Sequence, residues 1–272
     1  MIHQVFRYFC MIFCLFIGNQ IYAQDLVKSI DFKNNAQFLS IDNQSNIYVK
    51  DNANLLTKYS PDGDSLMQYR SIKNGQIAGI DALSGLRIYT FYKQQGTVVI
   101  LDRNLTEKNS IQLRKLNIYN ISNIGASQDG SMWVYDFDNA QLIKVDEQLN
   151  IQQKSDDTRL VTRLVIHPDQ IIENDRQVFI IDNKQGVFHF DQYGTFVNHY
   201  LIPSDQIFQI TNQTIIYLKD NTLHSYNLKN SSTGSIPLNT FIKDGNEPIL
   251  DIKISNTNYY ILYNSHLDIY KQ

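Results

Sequence analysis

The sequence predicts an all-β fold, a six-bladed β-propeller built from four-stranded antiparallel blades. One strand-like phrase recurs, with apolar residues leading each copy at positions 47, 88, 132, 178, 216 and 260. A pitch of roughly 40–45 residues with several strands per unit is typical of propeller blades. The strands are apolar at consecutive positions rather than alternate ones, which indicates sheets buried on both faces.

Each unit contains the same four strands in order. An inner strand precedes the recurring phrase, the phrase forms the second strand, and a third and an outer strand follow after turns rich in Asp, Asn and Gly. Five of the six second strands carry an aromatic residue directly after the leading position, and Ile261 is the exception. We expect this side chain to pack between neighbouring blades. The five aromatic residues are Tyr48, Tyr89, Trp133, Phe179 and Tyr217.

The sixth unit ends at Gln272 without an outer strand, whereas residues 26–32 form a strand-like piece with no place in any other unit. We therefore predict that residues 26–32 complete the last blade and close the ring, which removes an exposed sheet edge. Residues 156–165 depart from the repeat. Their apolar residues recur at helical spacing, so this segment forms either a short helix capped by Asp157 or Thr158, or an ordinary strand.

The first 23 residues have the pattern of a secretory signal peptide. Arg7 precedes an apolar run over residues 8–18, and Ala23 offers a small residue at the cleavage position. The run is about half the roughly 20 residues that a membrane span needs, which favours a cleaved leader over an uncleaved anchor. We therefore expect a single propeller domain over residues 24–272, in the periplasm or outside the cell.

Composition excludes several kinds of site. Both cysteines, Cys10 and Cys14, lie in the leader, so the mature chain has no disulfide and no cysteine-bound metal. The chain carries 24 basic and 27 acidic residues, a formal net charge of −3 that becomes −4 once Arg7 is removed. This balance argues against nucleic acid as a partner and against binding to an anionic membrane surface. No transmembrane span follows the leader.

Turns at residues 58–63 and 188–194 resemble those of NHL-type and TolB-like six-bladed propellers. Together with the leader, they make the chain similar to exported propellers of Gram-negative bacteria. The resemblance covers nearly all of the mature chain and implies the propeller fold. It implies little about function, because such propellers serve as scaffolds, ligand binders, peptide binders and hydrolases.

The sequence offers two kinds of candidate metal site. The turns after the second strands would carry a ring of mostly acidic and amide residues. Such a ring could bind calcium, but residues that favour tight turns, repeated in each blade, are the preferred explanation. The ring consists of Asp51, Tyr92, Asp136, Asp182, Asp220 and Asn264. Resemblance to gluconolactonase would place calcium in the central channel, but the inner-strand candidates do not match that family's motif. They are Asp81, Asn123, Glu173, Asn174 and Asp251. Histidines are scattered, without paired metal-ligand spacing.

The sequence favours an exported, non-enzymatic propeller that binds a protein or ligand, with an envelope or extracellular protein as its partner. The alternative is a calcium-dependent, lactonase-like hydrolase with its site in the channel. We expect a monomer without a cofactor, a metal or catalytic residues. Binding is expected on the face that holds the links between blades, because loops on a rigid scaffold commonly carry function. The candidate residues are Asp51, Asp136, Asp157, His167, Asp182, Asp220 and Asp244.

Overall fold

Six antiparallel four-stranded sheets form a ring in the computed structural model, which describes residues 25–202, 204–237, 247–255 and 258–271. Blade 1 comprises β2 (Ala36–Ile41), β3 (Ile47–Asp51), β4 (Leu56–Tyr59) and β5 (Ser65–Tyr69). Blade 2 comprises β6 (Gly79–Asp81), β7 (Arg87–Tyr92), β8 (Thr97–Asp102) and β9 (Glu107–Gln112). Blade 3 comprises β10 (Ile121–Ala126), β11 (Met132–Asp136), β12 (Gln141–Val145) and β13 (Ile151–Lys154).

Blade 4 comprises β14 (Gln170–Asn174), β15 (Gln177–Asp182), β16 (Gly186–Phe190) and β17 (Phe196–Tyr200). Blade 5 comprises β18 (Gln206–Thr211), β19 (Thr214–Lys219), β20 (Thr222–Asn227) and β21 (Thr233–Pro237). Blade 6 comprises β22 (Asp251–Ile254), β23 (Asn258–Leu262), β24 (His266–Lys271) and β1 (Leu26–Asp31). Two short 3₁₀ helices, Lys93–Gln95 and Leu113–Leu116, and one α-helix, α1 (Thr158–Thr162), complete the described elements.

The predicted ring closure is confirmed. Strand β1 pairs antiparallel with β24, with Ile30 opposite Leu267 and Asp31 opposite His266. The strand is mostly exposed rather than buried, and Ile30 is the side chain that packs inward, on the cluster between blades 6 and 1. Gly63 in blade 1 adopts a φ of +84°, and a Cβ there would lie 2.9 Å from the Ile30 Cδ1 atom. Closure therefore rests on backbone pairing together with side-chain contacts across blades, among them the ion pair between Lys28 and Asp64 at 2.7 Å.

Consecutive residues of the second strands pack on opposite faces, as the apolar runs predict. In β3, Ile47 and Val49 belong to the cluster shared with blade 6, whereas Tyr48 belongs to the cluster shared with blade 2. Each described interface between neighbouring blades holds one such hydrophobic cluster. Burial on both faces makes each blade dependent on its two neighbours.

The alignment of the repeats in blades 5 and 6 was wrong by one residue. Ile216 packs toward blade 6, and Tyr260 packs toward blade 1, as Tyr48 does toward blade 2. The leading residues are therefore Ile215 and Tyr259, because a shift of one residue exchanges the two faces of a strand. Tyr260 thus holds the aromatic position, and Ile216 is the exception.

The segment between blades 3 and 4 forms the short helix α1. Asp157 caps it by accepting the Arg159 N–H at 2.9 Å. The helix ends at Thr162, and Arg163 follows as its C-terminal cap with a φ of +61°. The helical alternative for residues 156–165 is therefore confirmed. No helix among the described residues is long and apolar enough to cross a membrane.

Deleting β1 is expected to lower the free energy of unfolding by several kcal/mol, because the deletion removes a backbone ladder and exposes the β24 edge. Urea unfolding of the shortened chain tests this. The point substitution Ile30→Ala should cost about 1–2 kcal/mol, whereas Val27→Ala, at an exposed position of the same strand, should cost less than about 0.5 kcal/mol. An unchanged stability after deletion would contradict closure by β1.

Candidate functional site

The six inner strands surround a central channel of about 340 Å³. It is lined by many polar side chains, among them four of the five channel candidates: Asp81, Asn123, Glu173 and Asp251. Asn174 ends β14, and its Oδ1 accepts the Gln213 N–H of blade 5 at 3.4 Å. The chemistry of the channel depends on where these side chains make their hydrogen bonds.

The polar side chains of the channel bind the inner edges of neighbouring blades. Asp81 Oδ2 accepts the Ala126 N–H at 2.8 Å, and Asn123 Nδ2 donates to the Asp169 carbonyl at 2.6 Å. The Gln209 side chain donates to the Ile254 carbonyl at 3.0 Å and accepts the Ile254 N–H at 2.7 Å. These partners lie 45 or 46 residues apart, one blade pitch. The side chains therefore satisfy backbone groups that an inner strand would otherwise leave unpaired.

Glu173 belongs to a buried network between blades 3 and 4. Its Oε2 accepts the indole N–H of Trp133 at 2.6 Å, and its Oε1 accepts the Gln128 N–H at 3.2 Å. Lys144 lies 5.4 Å above the Trp133 ring and forms an ion pair with Asp129 at 2.7 Å. Both carboxylate oxygens of Glu173 thus accept bonds from blade 3, and the side chain connects two blades.

The channel carboxylates do not converge. Asp251 forms an ion pair with Lys253 at 2.9 Å, and Lys253 also donates to the Phe208 carbonyl at 2.5 Å. Within the described residues, no three His, Cys, Asp or Glu side chains come together in an arrangement that could hold a metal ion. The described part of the channel therefore presents individually bonded acids.

Burial raises the pKa of two of these acids. The side chains of Asp81 and Asp251 are only partly exposed, and both line the narrow central channel. For Asp81, burial outweighs the bonds from Ala126 and Leu83 and the nearby charge of Lys253, which lower the pKa. For Asp251, burial outweighs the ion pair and hydrogen bond with Lys253. In both cases desolvation disfavours the charged form.

Several candidate carboxylates on the turns bond to the backbone of their own blade. Asp51 accepts the Leu55 N–H at 2.8 Å. Asp136 and Asp182 are buried; Asp136 accepts the side-chain amide of Asn139 at 2.7 Å. Asp182 accepts the Lys184 N–H at 3.0 Å and the His167 N–H at 2.9 Å. His167 and Asp182 are thus brought together through the His167 backbone.

The remaining candidates on this face are separate from one another. Asp157 bonds the Arg159 guanidinium through both carboxylate oxygens. Asp220 is exposed and adopts a φ of 49° in the tight turn before β20, where its N–H donates to Asp205. Asp244 lies outside the described residues.

We define the link face as the face formed by the links between blades and the turns between second and third strands. An open cavity of about 720 Å³ lies on it at the channel mouth, between blades 6, 1 and 2. A cavity of this size fits a small molecule. Its lining is Ala36, Gln37, Phe38, Lys50, Asn52, Gln76, Ile77, Ala78, Lys93, Gln94, Leu250 and Asn264.

The sequence analysis did not predict the mouth cavity, although one residue of the repeat indicates it. Lys50 follows three apolar residues in β3, at a position where the corrected alignment has Phe91, Tyr135, Ile181, Leu218 and Leu262 in the other blades. A single charge inside a strand that is buried on both faces indicates a local departure from simple packing.

Exposed apolar side chains also mark the link face. Each of the successive links that lead from blade 1 to blade 5 carries at least one exposed apolar side chain. These are Ile72, Tyr119, Leu160, Val161, Val165 and Leu201. On the opposite face the exposed large hydrophobic residues of the described turns are Leu86 and Tyr193. Every described link from blade 1 to blade 5 thus carries an exposed apolar group.

Comparison with known proteins supports the architecture. No protein-family model matches the chain, and no curated protein is similar to it in sequence. Among solved structures, the WD40 domain of Neurospora crassa Pan2 matches with a TM-score of 0.66 at 9% identity, covering 91% of this chain and 94% of that domain. At these identities a likeness shows the fold alone.

Two lyase structures match in the same way. A catalytically inactive virginiamycin B lyase from Staphylococcus aureus with quinupristin has a TM-score of 0.61 at 9% identity, covering 90% of this chain and 98% of the lyase. A streptogramin B lyase has a TM-score of 0.60 at 10% identity, covering 90% and 86%. The chain therefore shares its propeller fold with proteins of different activities.

The raised pKa of Asp81 predicts a pH-dependent stability. Because the native protein binds this proton more tightly than the unfolded chain does, the charged carboxylate carries a cost that grows as the pH rises from about 4 through the native pKa. Asp81→Asn should therefore gain stability relative to the wild type over that range, by about 1.4 kcal/mol per unit of pKa difference. Urea unfolding between pH 4 and pH 7 measures the difference.

Asp129 supplies a control of opposite sign. Burial raises the pKa of Asp129, but the hydrogen bonds from Lys144 and from the Ser131 N–H outweigh burial and hold this pKa at about 2. The stability that the wild type gains over Asp129→Asn should therefore be present above pH 4 and lost as the pH falls toward 2. If Asp81→Asn instead loses stability relative to the wild type as the pH rises, the assignment of a raised pKa to Asp81 is wrong.

Proposed function

We propose that the protein is an exported, non-enzymatic propeller that binds another protein of the cell envelope through its link face. The observation that carries this proposal is the row of exposed apolar side chains in successive links. Leu160 is 77% exposed, Ile72 is 93% exposed and Tyr119 is 63% exposed. Such side chains on a rigid scaffold supply the apolar anchors from which interfaces gain most of their affinity.

Charged and polar groups surround these anchors. Exposed His167 and Asp220, together with Asp157, form the polar rim that the proposal requires, whereas Asp51, Asp136 and Asp182 hold the turns in place. Helix α1 projects Leu160 and Val161 from this rim. Apolar anchors accompanied by polar groups are usual in a protein–protein interface.

A binding role is favoured over a hydrolase because of how the channel acids are engaged. Asp81 and Glu173 bond neighbouring blades, and Asp251 is paired with Lys253. A calcium-dependent hydrolase would need carboxylate oxygens directed together at one ion. Withdrawing these side chains to bind a metal would cost the inter-blade bonds that they make.

Site-specific cross-linking tests the proposed face. A photo-reactive amino acid at position 160 should cross-link to one envelope protein in intact cells, and one at position 86, on the opposite face, should not. Leu160→Glu should weaken capture of that partner at least about tenfold, because a central apolar anchor contributes more than 1 kcal/mol to an interface. The matched control Leu86→Glu introduces the same charge at a similarly exposed position of the opposite face.

Both substitutions are at exposed positions, so each variant should keep the melting temperature of the wild type. Capture that survives Leu160→Glu and is lost with Leu86→Glu would place the binding face on the other side of the ring. A charge reversal at Asp157 is less informative, because that carboxylate also caps α1.

Export is the second part of the proposal. It rests on the leader over residues 1–23, which lies outside the described residues. Cleavage after Ala23 should give a mature protein that begins at Gln24. N-terminal sequencing of the protein from the envelope fraction measures this. A mature protein that retains Met1 would contradict cleavage of the leader.

A further inference from the structure

The mouth cavity occupies a space that other blades fill with apolar side chains. At the equivalent point of the second strand, Phe91 and Tyr135 are buried in the interfaces that follow their own blades. Blade 1 has Lys50 there, and an open cavity of about 720 Å³ beside it. At the mouth of the channel, blade 1 therefore departs from the repeat in two ways. A charged residue replaces an apolar one, and a cavity lies beside it.

Lys50 is buried, with 2% of its surface exposed, and its ammonium makes no ion pair with a carboxylate in the part of the chain that the structure describes. Lys144 and Lys253 differ in this respect, since Lys144 pairs with Asp129 and Lys253 pairs with Asp251. Buried Lys58 resembles Lys50 in having no ion pair among the described residues, but its ammonium donates to the Arg103 carbonyl at 3.0 Å. Lys50 donates to the side-chain oxygen of Gln37 and lies 5.6 Å from the centre of the Phe38 ring. Its surroundings thus supply one neutral acceptor and one aromatic face.

A local irregularity of β2 produces this arrangement. Ala36 pairs with Asp51 and Phe38 pairs with Lys50, so Gln37 is the extra residue of a β-bulge. Bulges redirect side chains at the ends of strands. Here the bulge allows Gln37 and Phe38, which are consecutive in sequence, to contact the same lysine.

The charges that line the cavity favour the binding of an anion. Burial lowers the pKa of Lys50, and the charge of Asp51 only partly opposes this. An ammonium has three N–H donors, of which Gln37 takes one. Among the described residues, the cavity lining contains a second cation, Lys93, and no aspartate or glutamate. A carboxylate bound beside Lys50 would supply the direct ion pair that the described part of the protein does not provide.

We propose that the mouth cavity binds an acidic sugar, with the carboxylate of a uronate unit on Lys50 and its hydroxyl groups on the surrounding amides. The amide side chains are Gln37, Asn52, Gln76, Gln94 and Asn264. Amides both donate and accept, which suits the neighbouring hydroxyls of a sugar ring. Phe38, Ile77 and Leu250 supply an apolar surface for the ring's carbon face. The volume is sufficient for a disaccharide.

Calorimetric titration with digalacturonate tests the proposal, with neutral galactobiose as the matched sugar. Digalacturonate should bind at least tenfold more tightly, because a charge-assisted hydrogen bond to Lys50 distinguishes the two. Lys50→Met should reduce digalacturonate binding at least tenfold. Lys58→Met is the matched control, since Lys58 is a buried lysine of the same blade that bonds the Arg103 carbonyl outside the cavity.

A second readout separates binding from structure. Without sugar, Lys50→Met should melt at the wild-type temperature or above it, because the substitution removes a buried charge that has no counter-ion. If that variant fails to fold, Lys93→Ala at the exposed rim should still weaken digalacturonate binding two- to fivefold. Absence of digalacturonate binding, equal binding of galactobiose, or binding unaffected by either lysine substitution would overturn the proposal.

A tripeptide with a free C-terminal carboxylate forms the third arm of the titration. Binding of the peptide in place of digalacturonate would overturn the assignment to sugars. The proposal is independent of protein capture through Leu160. Loss of capture with intact sugar binding, or the reverse, therefore distinguishes failure of one proposal from failure of the other.

Discussion

Burial of both faces of every blade is the constraint on which the rest of the structure depends. A four-stranded sheet that is apolar on both sides has no stable arrangement alone, because each face requires a partner. The chain meets this requirement by repeating the sheet and closing the ring, so that Tyr48 serves the interface with blade 2 while Ile47 serves the interface with blade 6. Ring closure by β1 follows from the same requirement, since an unclosed blade would leave an edge exposed.

The ring has a second consequence at its centre. Each inner strand leaves an edge of backbone N–H and C=O groups facing the channel, and these groups need partners. Side chains from the adjacent blade supply them, as Asp81 does for Ala126 and Gln209 does for Ile254. A polar channel is therefore a structural necessity of this fold. Acids found there in the sequence do not by themselves indicate catalysis or metal binding.

Departures from the repeat are concentrated where this constraint is weakest. The links between blades are free of ladder pairing, and they carry exposed apolar residues such as Tyr119 and Leu201. At the channel mouth, Lys50 replaces an apolar filler next to a bulge in β2, and a cavity remains. Both features lie on the link face, which could therefore combine a protein-docking rim with a small-molecule pocket at its centre. The two proposed sites share the scaffold but use different chemistry.

The sequence by itself determined the number of blades, the strand order and closure by the N-terminal strand, because these follow from local periodicity and turn chemistry. It left residues 156–165 open between a helix and a strand, and only the structure decided for the helix capped by Asp157. Tertiary structure decided the facing of strands in blades 5 and 6, where the apolar runs read equally well in two registers and only cross-strand pairing separates Ile216 from Tyr217. It also decided that Glu173 bonds Trp133, and that Lys50 borders a cavity. These contacts join residues about one blade apart, and a local pattern carries no information about which side chains meet across that separation.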